Sequence, residues 1–133
     1  MMKTRRNIFF LLCFTGLFVT SCTEELEAPD PCLIAPETAK VYEPVLFELC
    51  SDANYHVIWT GDPEHNYELR DEVGFDRRGR PVFQTGFPVK DNLFQYTYRT
   101  AGTFKVVLVQ TNSAYDGIDY KQALYETTIV VEE

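Results

Sequence analysis

Carboxylates are the groups in this sequence that come closest to forming a catalytic or metal site. Glycoside hydrolysis needs only two carboxyl groups a few ångströms apart, and the candidates are Glu64, Glu68, Asp71 and Glu72. Asp62, Glu64 and Asp71 could likewise hold calcium, but their spacing lacks the ordered Asp/Asn pattern of a calcium loop. Because 20 of the 133 residues are acidic, such clusters arise by chance, and we expect neither a metal nor a cofactor.

Nucleophilic catalysis has as little support in the sequence. The only histidines are His56 and His65, and no serine or cysteine stands in a nucleophile motif such as GxSxG. The sequence therefore predicts a protein that is not an enzyme. A glycoside-processing enzyme and a calcium-binding module are the less favoured alternatives.

A long segment, residues 64–93, mixes aromatic and basic side chains as binding loops do. Six of its side chains are candidates for ligand contact: Tyr67, Arg70, Arg77, Arg78, Phe83 and Phe87. In the alternative interpretation the aromatic rings pin the segment over a sheet edge and the arginines pair with nearby acids, because a loop of this length needs its own anchors. Burial of these rings would favour the alternative.

The first 21 residues have the pattern of an export signal. Three basic residues precede an apolar run, residues 8–20, which is shorter than the roughly 20 residues that a helix needs to cross a bilayer. The sequence VTSC that follows resembles the lipobox of bacterial lipoproteins, which implies cleavage before Cys22 and acylation of Cys22. Several acyl chains would hold the protein on a membrane essentially permanently. An ordinary secreted protein that is cut nearby is the alternative.

Residues 22–32 form an acidic tether that contains proline and no basic residue. An acidic segment behind a lipidated cysteine resembles the signal that directs lipoproteins of the Bacteroidetes type to the outer face of the outer membrane. The predicted location is therefore an outer-membrane lipid anchor with the domain exposed at the cell surface. A plain solvated tether, with the domain on the periplasmic face, is the alternative.

Removal of the signal peptide makes the net charge of the remaining protein more negative. The remaining 112 residues suffice for one domain and carry 9 basic and 20 acidic side chains, a net charge of −11. Binding to nucleic acid depends on a positive excess. We therefore expect no nucleic-acid partner.

Cys32 and Cys50 are the cysteines that remain once Cys13 leaves with the signal and Cys22 is acylated. Their spacing is too wide for a paired metal knuckle, and no histidine stands near either one, so zinc is not expected. In an exported protein an even pair of cysteines predicts a disulfide, worth about 3 kcal/mol on the chain-entropy model. Two free buried thiols are the alternative.

Most of the remaining chain alternates between apolar and polar residues at the period of a β-strand. Two runs show this most clearly, each with three apolar residues on one face: Val45, Phe47 and Leu49, and then Phe104, Val106 and Leu108. Turn residues separate the runs, and no stretch has a sustained helical period. Short strands of this kind in about 100 residues predict an antiparallel β-sandwich.

Three stretches resemble parts of polycystic-kidney-disease (PKD) domains. Their C-terminal signature resembles FQYTYRTAGTFKVVLVQTN (residues 94–112), their opening strand VYEPVLFEL, and their tryptophan strand and Gly-Asp turn IWTGD (residues 58–62). The resemblance covers most of residues 33–132. It implies an all-β, immunoglobulin-like sandwich that mediates extracellular protein or carbohydrate contacts and has no catalytic residues. WTGDPEHNYELRDE followed by TGFPV also looks like a PKD-like variant found in small Bacteroidetes lipoproteins.

Six positions carry the structural signature of that resemblance: Trp59, Gly61, Asp62, Tyr98, Gly102 and Phe104. Trp59 is expected to fill the space between the two sheets rather than to serve as a ligand platform. Gly102 can supply the positive φ of a tight turn, and the phenol of Tyr98 can fasten that turn while its ring packs inside. Because the Gly-Asp turn is short and about 30 residues intervene before the tyrosine strand, no binding site of the family transfers directly.

The sequence thus predicts a membrane-anchored lipoprotein whose domain, residues 33–133, binds a protein or a carbohydrate through the insert at residues 64–93. The alternative is an architectural subunit of an outer-membrane complex that packs through Val107 and Val109, on the face opposite Phe104. Burial of these two valines within the domain would remove the sequence support for the alternative.

Overall fold

The computed structural model describes residues 25–115 and 117–133. The predicted signal peptide (1–21) and the predicted acylation site, Cys22, lie outside the described residues. No helix among those residues is long and apolar enough to span a membrane; the one helical segment is a 3-10 turn, Tyr67–Leu69. The strands of this part of the chain are β1 (Leu33–Ile34), β2 (Thr38–Lys40), β3 (Pro44–Leu49), β4 (Tyr55–Trp59), β5 (Val73–Phe75), β6 (Pro81–Phe83), β7 (Phe87–Pro88), β8 (Leu93–Thr97), β9 (Gly102–Ser113) and β10 (Tyr120–Glu132).

These strands form two packed sheets and a separate hairpin. One sheet has the order β1-β3-β8, the other has the order β2-β10-β9-β4-β7, and β5 pairs only with β6. The short β2 runs parallel to β10, whereas the other pairs of described strands are antiparallel. The predicted fold class, an all-β immunoglobulin-like sandwich, is confirmed.

The core lies between the inner faces of the two sheets. In β3 the alternation seen in the sequence buries Val45, Phe47 and Leu49 while the residues between them are exposed. Opposite them the five-stranded sheet contributes Ile58, Phe104, Val106, Leu108, Ile129 and Val131. A rigid scaffold follows from this packing, and burial of apolar area at about 25 cal/mol per Å² is its main source of stability.

Trp59 does not lie between the sheets, contrary to the expectation from the sequence. The register pairs Ile58 with Leu108 and Trp59 with Val107. Ile58 is the fully buried core residue of this strand, so the alternation of β4 places Trp59 on the outer face of the five-stranded sheet. The ring is half-buried there.

The two valines proposed as architectural contacts also lie on that outer face. Val107 is fully buried within the domain, next to Trp59 in the register, and Val109 is half-buried. A fully buried side chain cannot supply a contact surface to another subunit. The sequence argument for an architectural subunit therefore fails at Val107.

A disulfide and a buried polar network close one end of the sandwich. Cys32 and Cys50 are joined, with their Cα atoms 5.0 Å apart, and the N–H of Cys50 donates to the carbonyl of Cys32. The hydroxyl of Ser51 accepts from the N–H of Cys32 (2.9 Å) and donates to Oε1 of the buried Gln110 (3.0 Å). Gln110 Nε2 also lies 3.1 Å from Nδ1 of His56. This network satisfies a polar group in the core that would otherwise cost about 1–3 kcal/mol.

Candidate functional site

The insert begins where β4 ends, in a tight turn built on Gly61. Gly61 has φ +82°, and a Cβ at this position would lie 2.5 Å from the carbonyl oxygen of Lys105. Only glycine therefore fits, both for its backbone conformation and for the close approach to β9. The turn closes with two hydrogen bonds, from the N–H of Gly61 to His65 O and from the N–H of His65 to Asp62 O.

Tyr96 of β8 and Tyr98, which follows that strand, fasten this turn to the three-stranded sheet. The hydroxyl of the buried Tyr98 donates to the carbonyl of Thr60 at 2.8 Å, and the hydroxyl of Tyr96 donates to Oδ2 of Asp62 at 2.6 Å. Tyr98 was expected to fasten the turn that ends at Gly102; its hydroxyl instead fastens the start of the insert. Its ring stacks on Phe104, with centroids 4.6 Å apart, and Gly102 begins β9 with φ +154°.

The environment of these phenols favours their neutral form. Burial raises the pKa of Tyr96 to about 12, and the hydrogen bond that it donates to Asp62 adds to the effect. Burial likewise raises the pKa of Tyr98. Both hydroxyls therefore remain donors at physiological pH, which keeps the base of the insert tied to the core.

The next part of the insert covers the outer face of the five-stranded sheet. The ring of Tyr67 meets Trp59 edge-on, with centroids 5.7 Å apart, and the guanidinium of Arg70 lies 4.0 Å above the Tyr67 ring. Gly86, just before β7, lies close to the same tryptophan: a Cβ added at this position would be 2.7 Å from Trp59 Cε2. Trp59 is thus packed between two parts of the insert, which explains its half-burial.

Hydrogen bonds join the outgoing and returning arms of the insert. The N–H of Thr85 donates to Glu64 O at 2.9 Å, and the N–H of Asn66 donates to Oε1 of Gln84 at 2.8 Å. Nδ1 of His65 lies 2.9 Å from the carbonyl oxygen of Thr85. Residues 61–70 and 84–88, which we call the insert base, are therefore held to the sandwich and to each other.

Phe87 belongs to this base, where its ring is half-buried against the core. Its ring faces the core side of the sheet, at 5.3 Å from the Phe94 ring and 5.7 Å from the Tyr96 ring. The ring of His65 packs on it at 4.3 Å. β7 pairs Phe87 with the inward-facing Ile58, so this placement does not favour the predicted ligand contact of Phe87, which stays a prediction.

The β5–β6 hairpin, in contrast, presents an apolar face to solvent. Its register pairs Val73 with Phe83 and Phe75 with Pro81, and side chains of directly paired residues lie on the same face of an antiparallel ladder. Phe75 is 71% exposed and Phe83 is 61% exposed. Two rings, a valine and a proline thus form one continuous surface, which we call the hairpin face: Val73, Phe75, Pro81 and Phe83.

A charged turn forms the tip of the hairpin. Oδ1 of Asp76 accepts from the N–H groups of Arg78 (2.8 Å) and Arg80 (2.9 Å), and Oδ2 accepts from the guanidinium of Arg80 at 2.7 Å. These bonds, that from the Arg80 N–H first, lower the pKa of Asp76. Asp76 and Arg80 thereby neutralise each other, and Arg77 and Arg78 remain exposed with their charges uncompensated by this turn.

A shallow cleft lies beside the hairpin, between the tip and the insert base. Its volume is about 420 Å³, and both apolar and hydrogen-bonding groups line it: Glu64, Asp76, Arg80, Pro81, Val82, Phe83 and Thr85. Its lining combines an aromatic ring with carboxylate, guanidinium and hydroxyl groups. The cleft and the hairpin face share Pro81 and Phe83.

Three carboxylates of the insert region make contacts within the domain: Asp62, Glu68 and Asp76. Among the described residues no group of three His, Cys, Asp or Glu side chains is placed to hold a metal ion, and Asp62 instead accepts the hydroxyl of Tyr96. Glu68 forms an ion pair with Lys105, whose hydrogen bond lowers the pKa of Glu68. A glycosidase acid needs a raised pKa, so this pairing is opposite to the requirement.

The structure divides the six residues predicted to contact ligand into three groups. Phe83, Arg77 and Arg78 lie exposed on the hairpin. Tyr67 packs edge-on against Trp59, and Arg70 lies over the Tyr67 ring. Phe87 is half-buried against the core. Phe75, Val73 and Pro81 were missed. The apolar alternation of VGF and PVF around the DRRGR turn is the sequence signal that could have identified a hairpin.

Known proteins share the fold of this chain and little of its sequence. No family model matches the sequence, and no curated protein does so either. Among solved structures, a chain from a study of the promiscuous specificity of β-sandwich carbohydrate-binding modules matches with a TM-score of 0.54 and 22% identity, over 80% of this chain. This chain spans 35% of the length of that protein.

A second solved structure is the PKD domain of an M14-like peptidase from a Thermoplasmatales archaeon. It matches with a TM-score of 0.49 and 13% identity, over 82% of this chain and 100% of that domain. The first of these matches confirms the β-sandwich predicted from the sequence, and the PKD resemblance stays a prediction. At these identities the likeness extends to the β-sandwich and no further.

Proposed function

We propose that the chain is a membrane-anchored lipoprotein whose non-catalytic, PKD-like sandwich binds a glycan through the β5–β6 hairpin. The observation that carries the proposal is the hairpin face, with Phe75 and Phe83 both more than half exposed on the same side of two paired strands. Monomeric proteins rarely expose contiguous apolar surface without a use for it. Sugar rings have apolar faces that pack on aromatic rings, so a flat aromatic surface suits them.

Polar groups beside the hairpin face complement the hydroxyl groups of a sugar. The cleft places Glu64, Arg80 and Thr85 next to Phe83, and these side chains supply both donors and acceptors. Arg77 and Arg78 extend the donor set at the tip. The structural likeness to carbohydrate-binding modules supports the same class of ligand.

The anchor and the location belong to the proposal as well. Acylation of Cys22 would tether the domain to the outer membrane, with the cell surface as the proposed side and the periplasmic face as the alternative. Replacement of Cys22 by alanine should move the protein from the membrane fraction to the soluble fraction, and retention in the membrane would contradict acylation as the sole anchor. Protease digestion of the domain on intact cells, with a periplasmic control protected, would support surface exposure; protection until lysis would contradict it.

A glycan panel tests the binding site. The soluble domain, residues 25–133, is applied to immobilised neutral and acidic polysaccharides together with the Phe75→Ala/Phe83→Ala variant. The variant should bind at least about tenfold more weakly, which corresponds to ~1.4 kcal/mol. Leu46→Ala is the matched control, because Leu46 is also 55% exposed but lies on the outer face of the three-stranded sheet. Equal binding by the double variant, or no binding to any glycan, would contradict the proposal.

A further inference from the structure

The end of the sandwich opposite the insert carries its own set of exposed apolar side chains. Four residues at or near this end are 63% exposed or more: Tyr55, Tyr115, Ile118 and Tyr120. The glycan-binding proposal uses none of them. We call this set the tyrosine end.

The strand register brings these residues to one end of the five-stranded sheet. Tyr55 begins β4 and pairs with Thr111, and Tyr120 begins β10 and pairs with Ser113, the last residue of β9. Tyr115 and Ile118 lie in the turn between β9 and β10, which is closed by the N–H of Ala114 donating to Asp119 O. Three tyrosines and an isoleucine therefore lie at the same end of the five-stranded sheet.

The N-terminal tether is fixed to this same end. Nδ2 of Asn112 donates to the carbonyl of Glu27 at 3.1 Å. Asn112 is itself held by the N–H of Asn54 (3.2 Å), and the N–H of Ser113 donates to Oδ1 of Asn54 (2.9 Å). Residues 25–27 and Tyr115 line a common cleft of about 720 Å³. The chain thus leaves the sandwich beside the tyrosine end.

The length of the tether limits how far this end can be from a membrane. Glu27 is five residues after Cys22, and five extended residues span at most about 18 Å. If acyl chains on Cys22 are embedded in a bilayer, the tyrosine end lies within about that distance of the bilayer surface. Contact requires only that the tether be less than fully extended.

We infer that the tyrosine end rests on the surface of the lipid bilayer that holds the acyl chains of the same molecule; the inference depends on the proposed anchor at Cys22. Tyrosine is enriched at membrane interfaces because its ring is apolar and its hydroxyl remains hydrated at the level of the headgroups. The carboxylates of Glu25 and Glu27 lie at the same end and must stay in water. The contact is therefore shallow, with rings among the headgroups and no deeper insertion.

This contact orients the domain with its insert away from the membrane. Trp59 pairs with Val107, six residues along β9 from Ser113. At about 3.4 Å per residue, Trp59 and the insert base are about 20 Å from the tyrosine end along the strand. The β5–β6 hairpin is thereby presented to ligands outside rather than to the lipid.

Tryptophan fluorescence in vesicles of brominated lipid tests the inference, because Trp59 is the only tryptophan of the chain. Three acylated proteins that begin at Cys22 are reconstituted in phosphatidylcholine vesicles brominated near the headgroup: the native protein, Tyr115→Trp and Tyr120→Trp. Both variants retain Trp59. The native protein should lose almost no emission relative to unbrominated vesicles. Each variant should lose the part of its emission that the introduced indole contributes.

The outcomes separate this inference from the anchor on which it depends. Vesicle-bound protein in which neither introduced indole is quenched would overturn the inference and leave the anchor standing. Quenching of Trp59 in the native protein would overturn it too, because the domain would then lie on its other end or its side. Protein that fails to float with the vesicles would overturn both.

Discussion

The insert base and the β5–β6 hairpin belong to the same segment of chain and use aromatic residues in opposite ways. In the base, Tyr67 packs on Trp59 and Phe87 packs on Phe94, so the rings hold the segment to the sandwich. In the hairpin, Phe75 and Phe83 contribute a face that nothing in the described part of the chain covers. The anchoring interpretation of the insert thus describes the base, and the binding interpretation stays a proposal for the hairpin.

The base and the hairpin also differ in how firmly they are attached to the sandwich. The base is held by hydrogen bonds from Tyr96 of β8 and from Tyr98, which follows β8, and by close backbone approaches at two glycines. The hairpin pairs only with itself. A segment with few tertiary contacts contributes little to the free energy of unfolding, and ligand-binding loops are often segments of this kind.

The largest expected difference between the insert base and the hairpin is in their response to an added methyl group, introduced by a glycine-to-alanine substitution in each. Gly86→Ala should destabilise the domain by about 1–3 kcal/mol, because the new Cβ would overlap Trp59 and Val57. Gly74→Ala, in β5, should change stability by less than about 0.5 kcal/mol, since the nearest atom to its Cβ is Val82 O at 3.9 Å. Urea denaturation measures both, and equal losses would contradict the division of the insert.

A second variant removes one fastening of the base. Tyr98→Phe deletes the hydrogen bond to the carbonyl of Thr60 and leaves that carbonyl without its phenolic donor. The expected loss in the free energy of unfolding is about 1–2 kcal/mol. Tyr42→Phe, at an exposed tyrosine, is the control and should be neutral in the same denaturation experiment. A neutral Tyr98→Phe would show that packing alone holds the base.

Alkaline pH should loosen the base through Tyr96. Its pKa is raised in the folded state to about 12, from about 10 in an unfolded chain, so folding favours the protonated form. The stability from this phenol is complete below pH 10 and declines as pH rises towards 12. Denaturation midpoints should fall in that window, and less steeply in Tyr96→Phe. A residual fall is expected because the pKa of Tyr98 is raised too; identical slopes would contradict the role of the Tyr96–Asp62 bond.

Substitutions on the hairpin face should have almost no effect on the stability of the domain. Phe75→Ser/Phe83→Ser removes both rings from the hairpin face, and the free energy of unfolding should change by no more than about 0.5 kcal/mol per site. The emission of Trp59, which reports on the base, should be unchanged. A large loss of stability would mean that these rings support the fold and are not a surface for a ligand.

The sandwich was predictable because its clearest strands bury one face and expose the other. In β3 the alternation of Val45, Phe47 and Leu49 with exposed residues identifies the face that packs in the core. Two expectations that did not come from this alternation failed. Trp59 lies on the outer face and not between the sheets, and Val107, on the outer face as expected, is buried there. When both faces are apolar, the period of two no longer identifies the inward face.

The candidate site was predictable in its location and not in its form. The aromatic and basic content of residues 64–93 pointed to the insert, but the three-residue strands Val73–Phe75 and Pro81–Phe83 contain a glycine and a proline and looked like loop. Their pairing decides that Phe75 joins Phe83 on one surface. The inward turn of Phe87 depends on its pairing with Ile58, a contact between residues far apart in sequence that no local pattern shows.

Hydrogen exchange of the domain, with and without a glycan that it binds, tests the central claim most directly. Bound glycan should slow amide exchange in residues 73–83, which form the hairpin, and leave residues 61–70 of the base unchanged. Slower exchange confined to another surface, such as the outer face of the three-stranded sheet around Leu46, would contradict the assignment of the hairpin as the binding surface.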